Sequence, residues 1–266
     1  MSTTHPLCLL SGASGGIGEA IALELASQGY TLILTARDTR KLTALSNQLP
    51  GEHYIFSADL TEQSARHDLL SFCAQLGELD LVVNCAGTSQ FGAFVEGSYQ
   101  DIEHIFNVNV TAVMALNQLL LQQAKQRPLT LVNVGSALGA IGHPGYVNYC
   151  ASKFALRGFT EALAREYSGS NKHIKYLAPR ATKTAINSQQ VNDMNSALGN
   201  QVDEPQVVAK ALVALINSNK RRLTLGWPER LFVRLNGALP EVVDNALGKK
   251  LKKIKTFFQP SLEKLS

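Results

Sequence analysis

Short apolar runs alternate with amphipathic stretches along most of this chain. The runs near 7–11, 30–36, 53–57, 80–84, 129–135, 173–178 and 222–225 have the length and near-continuous apolar character of strands buried on both faces, as in Leu7-Cys8-Leu9-Leu10 and Leu131-Val132-Asn133-Val134. Between them, helical periodicity covers positions near 16–28, 39–48, 62–76, 99–125, 146–168 and 204–217. One helix between each pair of strands predicts a doubly wound parallel α/β sheet of seven strands with right-handed crossovers. The 266 residues would admit two domains, but no Pro/Gly/Ser-rich linker interrupts the alternation. Residues 1–226 are therefore expected to form the main body, with 227–266 a helical extension of the same domain.

The chemistry begins where the first strand ends. It runs into Ser11-Gly12-Ala13-Ser14-Gly15-Gly16-Ile17-Gly18 and then an amphipathic stretch carrying Ile21, Leu23 and Leu25. Strand, glycine turn and helix is the order a dinucleotide needs: Gly12 permits the tight turn, Gly16 lets backbone approach a pyrophosphate, and Gly18 lets the helix pack closely on the sheet. The helix N-terminus supplies free N–H groups to the anion. The spacing is Gly-x-x-x-Gly-x-Gly, and a glycine turn by itself can be only a tight connection.

A second feature lies far downstream. Tyr149 and Lys153 are four residues apart, on one face of a helix, with Ser136 at the end of the fifth apolar run. A phenol that ordinarily titrates near ~10 exchanges protons poorly at neutral pH, and a lysine beside it is expected to favour the phenolate. Ser136 is placed to hydrogen-bond an oxygen that gains or loses charge. Tyr-x-x-x-Lys alone also arises by chance on surface helices; the glycine turn in the same chain is what points to chemistry.

With these landmarks the sequence resembles the short-chain dehydrogenase/reductase family over about residues 5–226. The resemblance is carried, in order, by the Ser11–Gly18 turn, Asp59-Leu60, Asn84-Cys85-Ala86-Gly87, Asn109, Ser136, and Tyr149 through Lys153. It implies a Rossmann-type fold, a nicotinamide cofactor and a catalytic set of Asn109, Ser136, Tyr149 and Lys153. In that set Tyr149 delivers the proton, Lys153 also binds the nicotinamide ribose, and Asn109 kinks its helix and holds a water. Beside Gly12, Ser14, Gly16, Ile17 and Gly18, the resemblance sets Asp59, Leu60, Asn84, Ala86, Gly87, Thr182 and Thr184 along the cofactor. Three positions depart from the family pattern: Ser11 stands for Thr, Cys85 for the second Asn of Asn-Asn-Ala-Gly, and Arg180 for the Gly after Pro179. The Arg180 exchange bears on backbone path, because glycine is free to take positive φ and arginine is not.

Charge decides the expected cofactor. The second strand ends without a carboxylate and is followed by Arg37, which suits the 2′-phosphate of NADP(H); an acid there would suit the ribose hydroxyl of NAD. Asp38 reads as the N-cap of the next helix. Ser14 and Lys41 are further candidates for the phosphate.

Cys8, Cys73, Cys85 and Cys150 show neither metal-ligand spacing nor a secretory pattern, and the six histidines are scattered, so a reduced cytoplasmic protein without a metal is expected. No uninterrupted apolar segment approaches the roughly 20 residues needed to span a bilayer. The formal charge of +4 is local: Lys249, Lys250, Lys252, Lys253, Lys255 and Lys264 stand against Glu263 in the tail. Leu247, Leu251, Ile254 and Phe258 fall on one helical stripe among those lysines. Such a helix either lies weakly on an anionic membrane or packs on its own subunit or a neighbour. Nucleic acid is not expected, since no stacking platform or recognised motif accompanies the charge.

Residues 185–203 occupy the place of the family's mobile lid and are rich in Asn and Gln, which suits a polar ligand or simply exposed surface. Trp227 through Leu235 and Ala238-Leu239-Pro240 form an apolar extension suited to a pocket wall or an oligomer interface. The reading is a homo-dimer or homo-tetramer that reduces a ketone or aldehyde, lipophilic or acyl-type, with NADPH. Its rival is an NADP(H)-binding regulatory or scaffold protein without turnover.

Overall fold

The structure is a computed structural model and describes residues 5–258. Seven parallel strands, β1 (Leu7–Ser11), β2 (Thr31–Ala36), β3 (Tyr54–Ser57), β4 (Leu81–Asn84), β5 (Leu129–Val134), β6 (Lys172–Ala178) and β7 (Arg222–Thr224), form one sheet in the order β3-β2-β1-β4-β5-β6-β7. The order reverses direction between β1 and β4, where a parallel doubly wound sheet opens a crevice at its carboxyl edge. Helices α1 (Gly16–Ser27), α2 (Thr39–Ser46), α3 (Gln63–Leu76), α4 (Tyr99–Phe106), α5 (Ala112–Ala124), α6 (Val147–Glu166) and α8 (Pro205–Ile216) flank it. Helix α7 (Gln189–Leu198) lies within the expected lid, and α9 (Glu229–Ala238) and α10 (Pro240–Lys255) form the C-terminal extension.

Successive strand residues point to opposite faces, so each apolar run serves two cores. Leu10, Leu34 and Val83 pack with Ile21, Leu25 and Leu212 on the α1/α8 side, whereas Leu9, Ile33 and Val82 pack with Leu69, Leu116 and Leu120 on the α3/α5 side. This double burial explains why the strands read as continuous apolar runs.

The helix read over 99–125 is interrupted by a π-helical turn at Asn107–Thr111, which carries Asn109, the residue at which the resemblance placed a kink. The combined run Tyr99–Ala124 is long and apolar enough to cross a membrane by mean composition, although Asp101, Glu103 and several Asn and Gln interrupt it, so it is not an uninterrupted apolar segment. Its apolar side is instead the packing face toward the sheet, where Leu116 and Leu120 are buried, and Asn117 on the same helix is bonded to Asn84 and Asn133.

The C-terminal stripe turns inward. Ile254 is fully buried, Leu247, Leu251 and Phe258 are half-buried, and Lys249, Lys250, Lys252, Lys253 and Lys255 are exposed. Of the two readings of the basic helix, packing on its own subunit is the one found; membrane binding loses the apolar face it would use. Glu263 and Lys264 lie outside the described residues.

Candidate active site

Gly12 takes φ 68°, and a Cβ there would sit 2.6 Å from the Ala86 Cα, so only glycine lets the turn after β1 pass this close to the chain leaving β4. A Cβ on Gly18 would lie 2.1 Å from the Gly12 carbonyl oxygen, which fixes the close seating of α1 on its own turn. Gly15, at the start of α1, offers no side-chain cap, so the first N–H groups of the helix have no side-chain partner. They face a groove of about 1400 Å³ at the sheet's carboxyl edge, lined from Arg37 and Lys41 at one end to Tyr149, Lys153 and Thr184 at the other. A side-chain-free cradle, uncapped helical N–H groups and a long groove fit the pyrophosphate and two nucleosides of a dinucleotide.

Ser14, Gly16, Ile17, Asp59, Leu60, Asn84, Ala86 and Gly87 all line this groove. Thr184 closes over the glycine turn: a Cβ on Gly16 would meet its Cγ2 at 3.0 Å. Thr182 does not line it; this side chain is buried and donates to the Arg180 carbonyl at 2.9 Å. At the β2 end, Asp38 accepts from the N–H groups of Arg40 and Lys41 at 3.0 and 3.2 Å, the capping role read from the sequence. Arg37, Arg40 and Lys41 therefore surround that end of the groove. Asp59 is held below the usual carboxylate range, first by Thr61, whose hydroxyl and N–H both donate to it, and in smaller part by the Arg37 charge.

At the other end, the turn after β5 places Ser136, and the first turns of α6 deliver Tyr149 and Lys153. Burial pushes the Tyr149 phenol up to about 12, while its hydrogen bond with Ser136 acts in the opposite sense. Burial also pushes the Lys153 ammonium down to about 8. Lys153 Nζ lies 5.7 Å from the Tyr149 ring centroid and donates to the Val134 carbonyl at 3.4 Å. Lys153 is thus not among the groups that lower the phenol, contrary to the expectation: desolvation dominates both groups, and Ser136 is the partner that opposes it. Asn109 uses both ends of its amide on its surroundings, accepting from the Thr88 N–H at 2.8 Å and donating to the Thr88 carbonyl and the Ser152 hydroxyl. Its Oδ1 and Lys153 Nζ both flank Gly87, at 3.2 and 3.4 Å from where a Cβ would stand.

Several supporting residues were not singled out from the sequence. The Tyr176 ring fills the space beneath the Ser136 turn; a Cβ on Gly135 would fall 2.0 Å from its hydroxyl oxygen, and one on Gly139 2.6 Å. The Tyr176 hydroxyl accepts from the Ser136 N–H at 3.4 Å. Asn84, Asn117, Asn133 and Thr160 form a buried network between β4, α5, β5 and α6. Arg180 grips Asp203 through two nitrogens at 2.7 and 3.0 Å and reaches Gln201 and Glu229 at 2.8 and 3.3 Å. Its φ is not positive, so the exchange from glycine is accommodated without strain. The polar residues recurring inside apolar runs, Asn117 and Asn133, were the available signal for the network; nothing local marks Tyr176 or the partners of Arg180.

Ser136 and Asn109 do not line the groove, but a doubly wound sheet with a dinucleotide groove that ends at Tyr149 and Lys153, with Ser136 hydrogen-bonded to the tyrosine, defines a nicotinamide-dependent oxidoreductase. The family described as short chain dehydrogenase matches residues 7–195, and this chain belongs to it. It is 32% identical over 237 residues to Nodulation protein G of Rhizobium sp. (strain N33), covering 87% of this chain and 95% of that one. It is 30% identical over 217 residues to a human 3-oxoacyl-(acyl-carrier-protein) reductase, covering 80% and 91%. A solved short-chain dehydrogenase from Streptomyces avermitilis superposes with a TM-score of 0.79 at 28% identity, covering 94% of this chain and 97% of the other.

Proposed function

We propose that the protein is an NADPH-dependent carbonyl reductase that converts a lipophilic or acyl-type ketone or aldehyde to the alcohol. The observation that carries this reading is the position of Tyr149: it lines the end of the dinucleotide groove and also belongs to a separate apolar cluster, so a molecule seated on that cluster can present an oxygen to the phenol. The bound nicotinamide supplies the hydride. Tyr149, with its phenol pushed up to about 12, stays protonated at neutral pH and holds the proton that the developing alkoxide needs. Ser136 stabilises the same oxygen, and Lys153 adds positive charge at the groove's end. Asn109 anchors the Thr88 loop and α6 around them. The acyl-carrier-protein reductase among the relatives supports a 3-oxoacyl type of substrate. NADPH is favoured by Arg37, Arg40 and Lys41 around the ribose end and by the commitment of Asp38 to its cap.

Four unpaired cysteines suit a reducing, cytoplasmic setting. The exposed Phe94, Val95 and Tyr99 suit self-association as a homo-dimer or homo-tetramer. In the test, a panel of ketones and aldehydes with NADPH shows turnover by the wild type and none by Tyr149→Phe, which keeps NADPH affinity. Arg37→Ala weakens NADPH by roughly one to two powers of ten and leaves NADH nearly unchanged. A wild type that binds NADPH but reduces no carbonyl would favour the scaffold reading instead.

A further inference from the structure

Tyr149 faces two environments, and the second has a wall that lies outside the family match. The apolar cluster around Tyr149 draws Phe91 from the loop after β4, Tyr146 from the N-cap of α6, Val191 and Met194 from α7, Ile254 from the end of α10 and Phe258 from the turn that follows it. Of its members, only Tyr149 also lines the groove. The last two residues lie well beyond residue 195, where the family match ends.

Phe258 is seated specifically. Its ring meets Phe91 edge-on at 5.7 Å between centroids, Phe91 meets Tyr146 at 4.9 Å, and Tyr146 meets Tyr149 at 5.9 Å. The notch exists because position 145 is glycine. With φ 84°, Gly145 turns the chain beside these rings, and a Cβ there would stand 2.5 Å from Phe91 Cε2 and 2.7 Å from Phe258 Cε1. Two further contacts hold the end of α10 in place: Ile254 is fully buried, and the Lys253 ammonium donates to the Ala197 carbonyl on α7. The Asn/Gln-rich segment turns mostly apolar residues inward, with Asn195 the buried polar exception, bonded to Asn200. Val191 and Met194 are buried while Asn192 and Asp193 are exposed, so its inner face adds to the same apolar wall.

We infer that the end of α10 and the turn after it form the far wall of the substrate site and that Phe258 sets the length of apolar body the site admits. The inference rests on the reductase reading of Tyr149. A ketone whose oxygen reaches Tyr149 and Ser136 while the groove is filled by the dinucleotide must lay its body on the other side of Tyr149, and that side is this cluster. The rings of this cluster touch one another, so an apolar body laid against Tyr149 has to part them, and the longer the body the sooner it must displace Phe258 at the far end. The favoured substrates are therefore ketones with a carbonyl near one end of a short apolar body.

The test uses a series of 3-oxoacyl N-acetylcysteamine thioesters from four to twelve carbons, with the full-length wild type, Phe258→Ala and Gly145→Ala. Turnover is read from NADPH absorbance, and binding from the thermal shift that each thioester adds to the NADPH-loaded protein. Each methylene newly accommodated is worth roughly a factor of four, so two of them should raise the kcat/KM of the longest members relative to the four-carbon member about fifteenfold in Phe258→Ala. Gly145→Ala, which forces the same ring out by a different route, should move the length preference in the same direction. A length profile that is the same in all three proteins overturns the inference. If the wild type turns over no member, the reductase reading fails by itself. The wall is then judged by binding: long thioesters that shift only the variants support it, and no length-dependent difference in thermal shift refutes it.

Discussion

Replacing Lys153 with methionine should stabilise the cofactor-free protein while abolishing its activity. Lys153 is 5% exposed, and its ammonium, which ordinarily titrates at 10.5, titrates at about 8 in the folded chain because burial disfavours the charge. Each pH unit corresponds to about 1.4 kcal/mol, so the charged lysine costs the folded state about 3 kcal/mol at neutral pH. Methionine keeps the unbranched stem and removes the charge. It also leaves the Val134 carbonyl without its 3.4 Å donor, an offset of about 1 kcal/mol, for a net gain of about 2 kcal/mol. For a chain of this size that is a rise of roughly 4–8 °C in melting temperature. The pH dependence identifies the cause. Between about 8 and 10.5 the unfolded wild type binds more protons than the folded, so wild-type stability rises with pH through that window and the variant's advantage shrinks toward zero. Denaturant titrations of both proteins at pH 7 and pH 10 measure this directly. A variant less stable than wild type at pH 7, or a difference that does not change with pH, would refute the argument.

Three further outcomes are expected. Arg180→Ala should destabilise by about 2–3 kcal/mol in denaturant titration, because it removes a two-nitrogen grip on Asp203 in a pair that is 12% and 11% exposed. It should also speed proteolysis within 185–203, whose far end that grip ties to β6. Tyr176→Phe should cost about 0.5–1.5 kcal/mol and lower kcat more than NADPH affinity, since the lost hydroxyl supports only the Ser136 turn. Asn133→Leu should destabilise by more than 1 kcal/mol in thermal melts, because Asn133 accepts from Asn84 and Asn117 and donates to Thr160, and those buried partners would be left unpaired.

The strand and helix order, the sheet class and the main landmarks of the site were legible because each is written in local spacing. Apolar runs of strand length, glycines at fixed intervals before a helix, and a tyrosine and lysine one turn apart depend only on residues near one another in the chain. Asp38 as a cap and Arg37 at the end of β2 belong to the same kind of signal. What the tertiary structure alone decided concerns partners distant in sequence. Tyr176 meets Gly135 and Gly139 only because β5 and β6 are neighbours in the sheet, and Arg180 finds Asp203 and Glu229 only because the lid and the extension return to the end of β6. The lysine-bearing stripe of α10 is amphipathic in either environment, and nothing within it says whether its apolar side meets lipid or Tyr146 and Met194. The pairing of Tyr149 with Lys153 shows the same division. Their spacing placed them on one helical face, but the sign of the shift on each group came from burial, a property that the surrounding fold creates and no short segment contains.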